Sequence, residues 1–359
     1  MWRPVALSAF ALQWAIGDGN PFIFHLVSAL LYGLVAGMAG LLCARLFGPA
    51  LGLVAGLLFA VHPVHVEVTA NVVGQAELWS ALGYFGAMLA AWERSGTSSP
   101  RWRLILLLAT LGSLTIGLGG KEQPITIPGA IAVLWWLRAR VGGVSFLDVA
   151  RREWQLPVLG CAVIAAFLVL RAEFGGGVVA AGGIATGLDP DSAVSRIVTM
   201  LPVTLVWLRV LFVPIALSAD YSPLHIVPET SFGVNHALAM LLWICLLALT
   251  YISRDRLRAL FVGVAFFVVT ISIVSNVVVP LEVLMAERLL FIPSLGGALA
   301  VAAGLQLLYE KTVRQGEGNK MLSARAHILV MQAGRSYARA SVGRHRDRFC
   351  PHLIEGAPN

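Results

Sequence analysis

Apolar runs of about 20 residues recur along almost the whole chain, and this repeat constrains the fold more than any other feature. A helix of that length is long enough to cross a hydrocarbon core of about 30 Å. Candidate crossings fall at roughly 22–44, 50–70, 76–92, 103–119, 123–138, 154–171, 233–252, 259–279 and 289–309. In lipid every backbone polar group must be satisfied within the chain, so only helices and closed barrels cross. Barrel strands would show as alternating segments of about 10 residues, and the sequence has none. The chain therefore reads as an all-α protein, a polytopic transmembrane helical bundle with about nine spans. Composition agrees: of 359 residues, 58% are hydrophobic and 13% charged, and the mean hydropathy is +0.81. These values exclude a disordered chain, a disulfide mini-protein and an ordinary soluble enzyme.

The net charge of +7 is concentrated. Residues 310–359 carry nine Lys/Arg against four Asp/Glu, so the excess belongs mostly to a basic tail. A polybasic segment beside a membrane faces anionic headgroups on the cytoplasmic side, and no nucleic-acid partner is expected. Arg45; Arg94, Arg101 and Arg103; Arg138, Arg140, Arg151 and Arg152; and Arg254, Arg256 and Arg258 mark cytoplasmic loops. The loops between them are poor in arginine and belong on the far side. Cys43, Cys161 and Cys245 lie in apolar runs, and none of the four cysteines, Cys350 included, has a partner at ligand spacing, so no cysteine metal site is expected.

The alternation of sides leaves one segment over. The span at 154–171 exits to the far side and the span at 233–252 must start there, so the apolar segment 196–216 between them is expected to be re-entrant or interfacial. Pro202, Pro214, Arg196 and Arg209 suit such a segment. Residues 1–309 form the membrane domain. Within it, 1–21 is read as an interfacial helix and far-side loop, and 172–232 as a large far-side loop holding the re-entrant segment. Non-crossing stretches of that size usually carry function.

Four constellations carry polar chemistry on the far side. His62-Pro63-Val64-His65-Val66-Glu67, followed by Gly74-Gln75-Ala76-Glu77, can hold a metal or sugar hydroxyls, or mark a polar helix end where Pro63 breaks the hydrogen bonding. Lys121, the only lysine before the tail, stands beside Glu122 and can hold a phosphate or snorkel to the interface. Arg209 lies in an apolar segment, where arginine points at a partner or a wet cavity, and Asp220 or a bound phosphate can be that partner. Glu287 and Arg288 precede the last clear span and can form an interfacial ion pair. A shared polar pocket on the far face is the economical reading.

In sequence order stand Trp2-Arg3-Pro4, Phe24-His25-Leu26-Val27, His62 to Glu67, Gly74 to Glu77, Lys121-Glu122-Gln123, Leu208-Arg209 with Leu217-Ser218-Ala219-Asp220-Tyr221-Ser222, and Ala286-Glu287-Arg288 with Leu289 to Ser294. Together they resemble the transmembrane and tetratricopeptide-repeat (TMTC-type) O-mannosyltransferases, over nearly the whole chain. The resemblance implies a GT-C-like glycosyltransferase core. It implies a polyprenyl- or dolichyl-phosphate sugar donor, with mannose as the sugar, protein Ser/Thr as acceptor, and inverting transfer on the lumenal or periplasmic face. A carboxylate acts as base on the acceptor hydroxyl, and cations neutralise the departing lipid phosphate. On this reading Glu67, Glu77 and Asp220 are catalytic candidates. His62, His65, Lys121, Glu122, Arg209, Glu287 and Arg288 are candidates for binding substrate.

Three departures from the family pattern set up an alternative. The family carries an upstream span with an acidic outer loop, where the catalytic aspartate is expected, a final span beyond residue 309, and tetratricopeptide repeats beyond a junction like that at 310–359. These point to a truncated, non-catalytic remnant or membrane scaffold as the second reading. A transporter would show internal symmetry between halves, and none is visible. The arginine bias and short loops favour a bacterial inner membrane over the endoplasmic reticulum.

Overall fold

The computed structural model describes residues 2–175, 192–215, 217–218, 221, 231–279, 281, 283–314 and 332. The described residues are helical, without strands. In chain order the helices are α1 (Pro4–Gly17), α2 (Pro21–Phe47), α3 (Pro49–Ala60), α4 (Val66–Ala70), α5 (Gln75–Gly96), α6 (Pro100–Gly120), α7 (Ile127–Gly142), α8 (Phe146–Arg152), α9 (Gln155–Gly175), α10 (Ala193–Phe212), α11 (Val234–Ser253), α12 (Arg258–Ser272) and α13 (Ser294–Arg314). One-turn 3-10 helices stand at Pro63–His65, Val72–Gly74, Gln123–Thr126 and Glu287–Leu290.

Five helices (α2, α6, α9, α10 and α11) are long and apolar enough to cross a membrane, or seven segments if each of two bent pairs counts as one crossing. The chain is a multi-pass membrane protein. Each of the nine expected segments coincides with helix, but not all as straight crossings. The run at 50–70 breaks into α3 and α4, bent by 50°. Pro63 has no N–H to continue the helix, and the His62 ring accepts the N–H of Val64 at 3.2 Å instead. Helix α5 carries Glu77, Glu93 and Arg94, and α12 is only 15 residues long.

Helices α5 and α6 form a close antiparallel pair. A Cβ on Gly83 would stand 2.4 Å from the Gly117 nitrogen and the Ser113 oxygen, and one on Gly120 would stand 2.7 Å from the Ser80 nitrogen. Backbone thus lies on backbone, the packing that small residues permit between membrane helices. This register sets the start of α5 against the end of α6, and the end of α5 against the start of α6. Apolar side chains of α2, α3, α5, α6, α7 and α13 fill one core around this pair. A second core gathers α10, α12 and the Glu287–Leu290 turn. Outward-facing Leu238, Leu241, Ile244, Leu249 and Ile252 leave α11 with an apolar face, as a lipid-facing helix requires.

The segment expected to be re-entrant is a continuous 20-residue helix, α10, with Pro202 inside it. Its direction is informative. The His236 ring donates to the Val198 carbonyl at 2.8 Å, and the Trp243 indole donates to the Thr204 hydroxyl at 3.0 Å. Both residues of α10 advance together with their partners on α11, so these consecutive helices run parallel.

If the α5–α6 seam controls the bundle, adding one methyl at Gly83 disturbs it while the same change on the open face of α6 does not. Gly83→Ala is expected to lower the melting temperature of the detergent-solubilised protein, at a cost of about 1–3 kcal/mol for overpacking. Gly112, whose Cβ would meet nothing within 4 Å, is the control: Gly112→Ala leaves the melting temperature level or raises it, because alanine is the better helix former.

Candidate functional site

The start of α5 and the end of α6 meet at one end of the bundle, and ionic side chains from four parts of the chain converge there. Arg288, on the Glu287–Leu290 turn, donates from its guanidinium to Glu67 Oε1 at 2.6 Å and from its main-chain N–H to Glu67 Oε2 at 2.9 Å. Its Nε also lies 3.9 Å from Glu77 Oε1. The Lys121 ammonium donates to that same Glu77 oxygen. Glu67, Glu77, Lys121 and Arg288 are therefore one connected network, with two cations against two carboxylates. The glycine seam makes it: Lys121 directly follows Gly120, so it emerges where Glu77 begins α5. Glu77 is almost wholly buried, while the Arg288 side chain is 35% exposed and forms the open edge of the network.

Glu122 belongs to a neighbouring cluster. Arg171, near the end of α9, donates to its Oε1, and the Arg3 guanidinium lies 3.9 Å from its Oε2. Here two cations face one carboxylate, leaving surplus positive charge. Burial alone would push the Glu122 carboxyl up, but the charges of Arg3 and Arg171 outweigh it and hold the pKa below the usual carboxylate value. Arg171 was not foreseen as a site residue. Its signal was available: an arginine at the end of the 154–171 span stands away from the arginine-marked loops.

Glu287 turns away from Arg288's partners. It accepts the Ser218 N–H at 2.7 Å and the Tyr221 hydroxyl at 3.2 Å. Burial and the adjacent Glu287 carboxylate push the Tyr221 hydroxyl up to about 12, against a smaller lowering by the Arg209 charge. Arg209 is exposed on the last turn of α10, within electrostatic reach of Tyr221. Asp220 lies outside the described residues.

The two histidines are built into the frame. His62 donates from Nε2 to the Leu211 carbonyl at 2.8 Å, while its Nδ1 accepts the Val64 N–H. This pairing fixes the Nε2–H tautomer and ties the end of α10 to the break after α3. His65 lies between the Ser294 hydroxyl, 2.8 Å from Nε2, and the Tyr32 hydroxyl, 3.0 Å from Nδ1. Both rings are buried, with both nitrogens occupied inside the protein. Among the described residues no group of three His, Cys, Asp or Glu side chains stands at metal-binding separation. The Gln123 amide, buried in the turn after α6, donates to the Leu289 carbonyl at 3.2 Å and locks the Lys121 loop to the Arg288 turn.

The remaining sequence expectations fall as follows. Residues 4–17 form α1, ended by Asp18 in the left-handed conformation (φ 47°). This helix covers the site end, with buried Gln13 exchanging amide hydrogen bonds with Gln75 at 2.9 Å. Residues 176–191 and 222–230 of the expected 172–232 loop and nearly all of the 310–359 tail lie outside the described residues.

No family model matches the chain, and no solved structure matches it. The chain is 27% identical over 337 residues to mouse Protein O-mannosyl-transferase TMTC3, covering 87% of this chain and 36% of that protein. It is 28% identical over 365 residues to human Protein O-mannosyl-transferase TMTC4, covering 88% of this chain and 48% of that protein. To Drosophila melanogaster Protein O-mannosyl-transferase Tmtc2 it is 34% identical over 230 residues, 61% of this chain and 24% of that one. The resemblance to the TMTC-type O-mannosyltransferases carried by the ordered motifs thus holds across most of the chain, which spans less than half the length of these relatives. All three are animal proteins, and they give no support to the bacterial inner membrane expected from the arginine bias.

Two measurements test the site's electrostatics. Removing one partner of the buried pair strands the other charge, at a cost of about 3–5 kcal/mol. Lys121→Met and Glu77→Gln should therefore each lower the melting temperature sharply, and the double variant should recover much of the loss. Glu122 supplies a pH signature. Its folded pKa lies below the unfolded value, so its ion pairs stabilise the protein fully above about pH 4.5 and progressively less as the pH falls through the depressed pKa. Glu122→Gln is expected to melt lower than the parent chain near neutral pH, and the difference should close on acidification.

Proposed function

We propose that this chain is the membrane core of a GT-C-type O-mannosyltransferase, which transfers mannose from a polyprenyl- or dolichyl-phosphate donor to protein Ser/Thr on the extracytoplasmic face. The observation that carries this reading is the convergence of Glu67, Glu77, Lys121 and Arg288 at one end of the bundle, in a chain whose relatives are named protein O-mannosyl-transferases. The parallel start of α10 and α11 supports counting α10 as a segment that leaves the chain on the side where it began. With α10 set aside, the remaining nine segments alternate sides, and the arginine-marked loops fall together on the cytoplasmic face.

Transfer from a lipid phosphate needs a cationic seat for the departing group, a base for the acceptor hydroxyl, and a wall against water. Arg288 is the best placed cation, being fixed by Glu67 and partly open. Lys121 stands behind it, and Arg209, Arg3 and Arg171 add positive potential at the rim. A phosphate carrying negative charge can share these donors without displacing Glu67, since a guanidinium offers five N–H groups. Both oxygens of Glu67 are bound to Arg288, so Glu67 acts as the residue that aims that guanidinium. Glu77 does the same for Lys121. The base role falls to Asp220, which lies in sequence between Ser218 and Tyr221, both bonded to Glu287. His62 and His65 hold the site's walls together, with their ring nitrogens committed to Leu211, Ser294 and Tyr32.

One observation favours the scaffold reading: every described carboxylate of the site already has a cationic or hydrogen-bonding partner. A transfer assay separates the two readings. Proteoliposomes holding the folded chain are given radiolabelled dolichyl-phosphate mannose and a Ser/Thr peptide. The enzyme reading expects label on the peptide, lost at least tenfold in Asp220→Asn, and donor binding lost in Arg209→Ala while the folded yield is kept, because Arg209 is exposed. No transfer by a well-folded chain that also fails to bind the donor would favour the scaffold.

A further inference from the structure

At the opposite end of the α5–α6 pair stands a second ionic cluster that the transfer site does not use. Along α5, Arg94 lies about 26 Å from Glu77 at 1.5 Å per residue, close to the thickness of the hydrocarbon core. Glu153, fully buried between α8 and α9, is the hub. Arg103 binds its Oε1 at 2.7 Å, Arg94 Nε approaches its Oε2 at 3.2 Å, and Arg152 lies 3.8 Å from Oε1. Arg94 also donates to the Gln155 side chain at 2.6 Å, and Arg152 to the Thr97 carbonyl at 2.8 Å. Three guanidiniums thus share one carboxylate. These contacts leave N–H groups of Arg103 and Arg152 over, because each guanidinium has five.

A cavity of about 530 Å³ opens beside this cluster, lined by polar Arg94, Arg103, Arg152 and Gln155 and by apolar Leu104 and Leu107. That volume lies in the range of small-molecule sites. It also touches Ser98 and Pro100 at the start of the 21-residue helix α6, whose first turn has no side-chain cap. Leu104 and its neighbour Trp102 are each 57% exposed, so the apolar wall continues onto the outer surface of the bundle.

We propose that this cavity is a binding site for an anionic phospholipid of the adjacent leaflet. Its phosphate would sit against Arg103 and Arg152, and its acyl chains would lie along Leu104 and Leu107. A surplus of cations selects a phosphate with net negative charge over a zwitterionic headgroup. The apolar wall selects a lipid over a free anion. Arg152 is half exposed and can meet the headgroup, whereas Arg94 and Glu153 stay buried and hold the site's shape.

The test uses the full chain purified in neutral detergent. Melting temperature is read while titrating dioleoylphosphatidylglycerol, dioleoylphosphatidylcholine, glycerol 3-phosphate or inorganic phosphate. Saturable stabilisation by phosphatidylglycerol alone is expected, with its half-saturation point raised at least fivefold in Arg152→Gln. Arg101→Gln, which removes an exposed charge from the same helix start outside the cavity, should leave that point within twofold. Equal response to phosphatidylcholine, equal response to inorganic phosphate or glycerol 3-phosphate, or an equal shift in Arg101→Gln would each overturn the proposal. Should Arg152→Gln fold poorly, Leu104→Gln replaces it, and an unchanged phosphatidylglycerol midpoint there would likewise sink the idea.

Discussion

The close approach of α5 and α6 governs what the rest of this bundle can do. Two helices whose backbones touch through Gly83, Gly117 and Gly120 cannot slide without collision, so their register is fixed. That register decides which charged side chains stand opposite one another at each end. At one end it sets Lys121 against Glu77, and at the other it brings Arg94 and Arg103 to the same buried glutamate. Two ionic clusters lie a membrane's thickness apart, with a core of leucine, alanine, phenylalanine and tryptophan between them.

This separation follows from the cost of charge in hydrocarbon. An ion in the middle of a bilayer has neither water nor a cheap partner, so ionic residues collect at span ends or pair inside the protein. The chain does both. Glu77 and Glu153 are buried, yet each is held by cations donated from other helices. The pairs tie elements that apolar packing alone would leave free to rotate: Arg288 reaches across to α4, and Arg171 of α9 reaches the loop after α6. The same polar bonds that exclude the site's carboxylates from free solution also hold its cations in place.

Much of this was legible in the residues. Run length and hydropathy located the helices, because spanning lipid needs a fixed number of apolar residues. The break at Pro63 was readable, since proline has no N–H to give. The gathering of Glu67, Glu77, Lys121 and Arg288 at one end followed from counting arginines in alternate loops. Which of them pair was not readable: Glu67 and Arg288 are 221 residues apart, and nothing local connects them. The histidines show the same limit. His62 and His65 looked free to bind a substrate or a metal, but their rings are taken by Leu211, Ser294 and Tyr32, partners distant in sequence or in another helix. Arg171 and Arg3 show the reverse case, helix-end residues that became site residues only through their contact with Glu122.

The sequence by itself determined a helical multi-pass membrane protein and the course of its apolar helices, because hydrophobic length acts locally along the chain. Only the tertiary structure decided that α10 and α11 run side by side in the same direction, that the carboxylates of the site are already held by cations, and that three arginines share Glu153 at the other end. Those outcomes depend on which helix faces which, and helix packing is fixed by contacts between residues far apart in the chain, through small-residue seams whose register no single segment encodes.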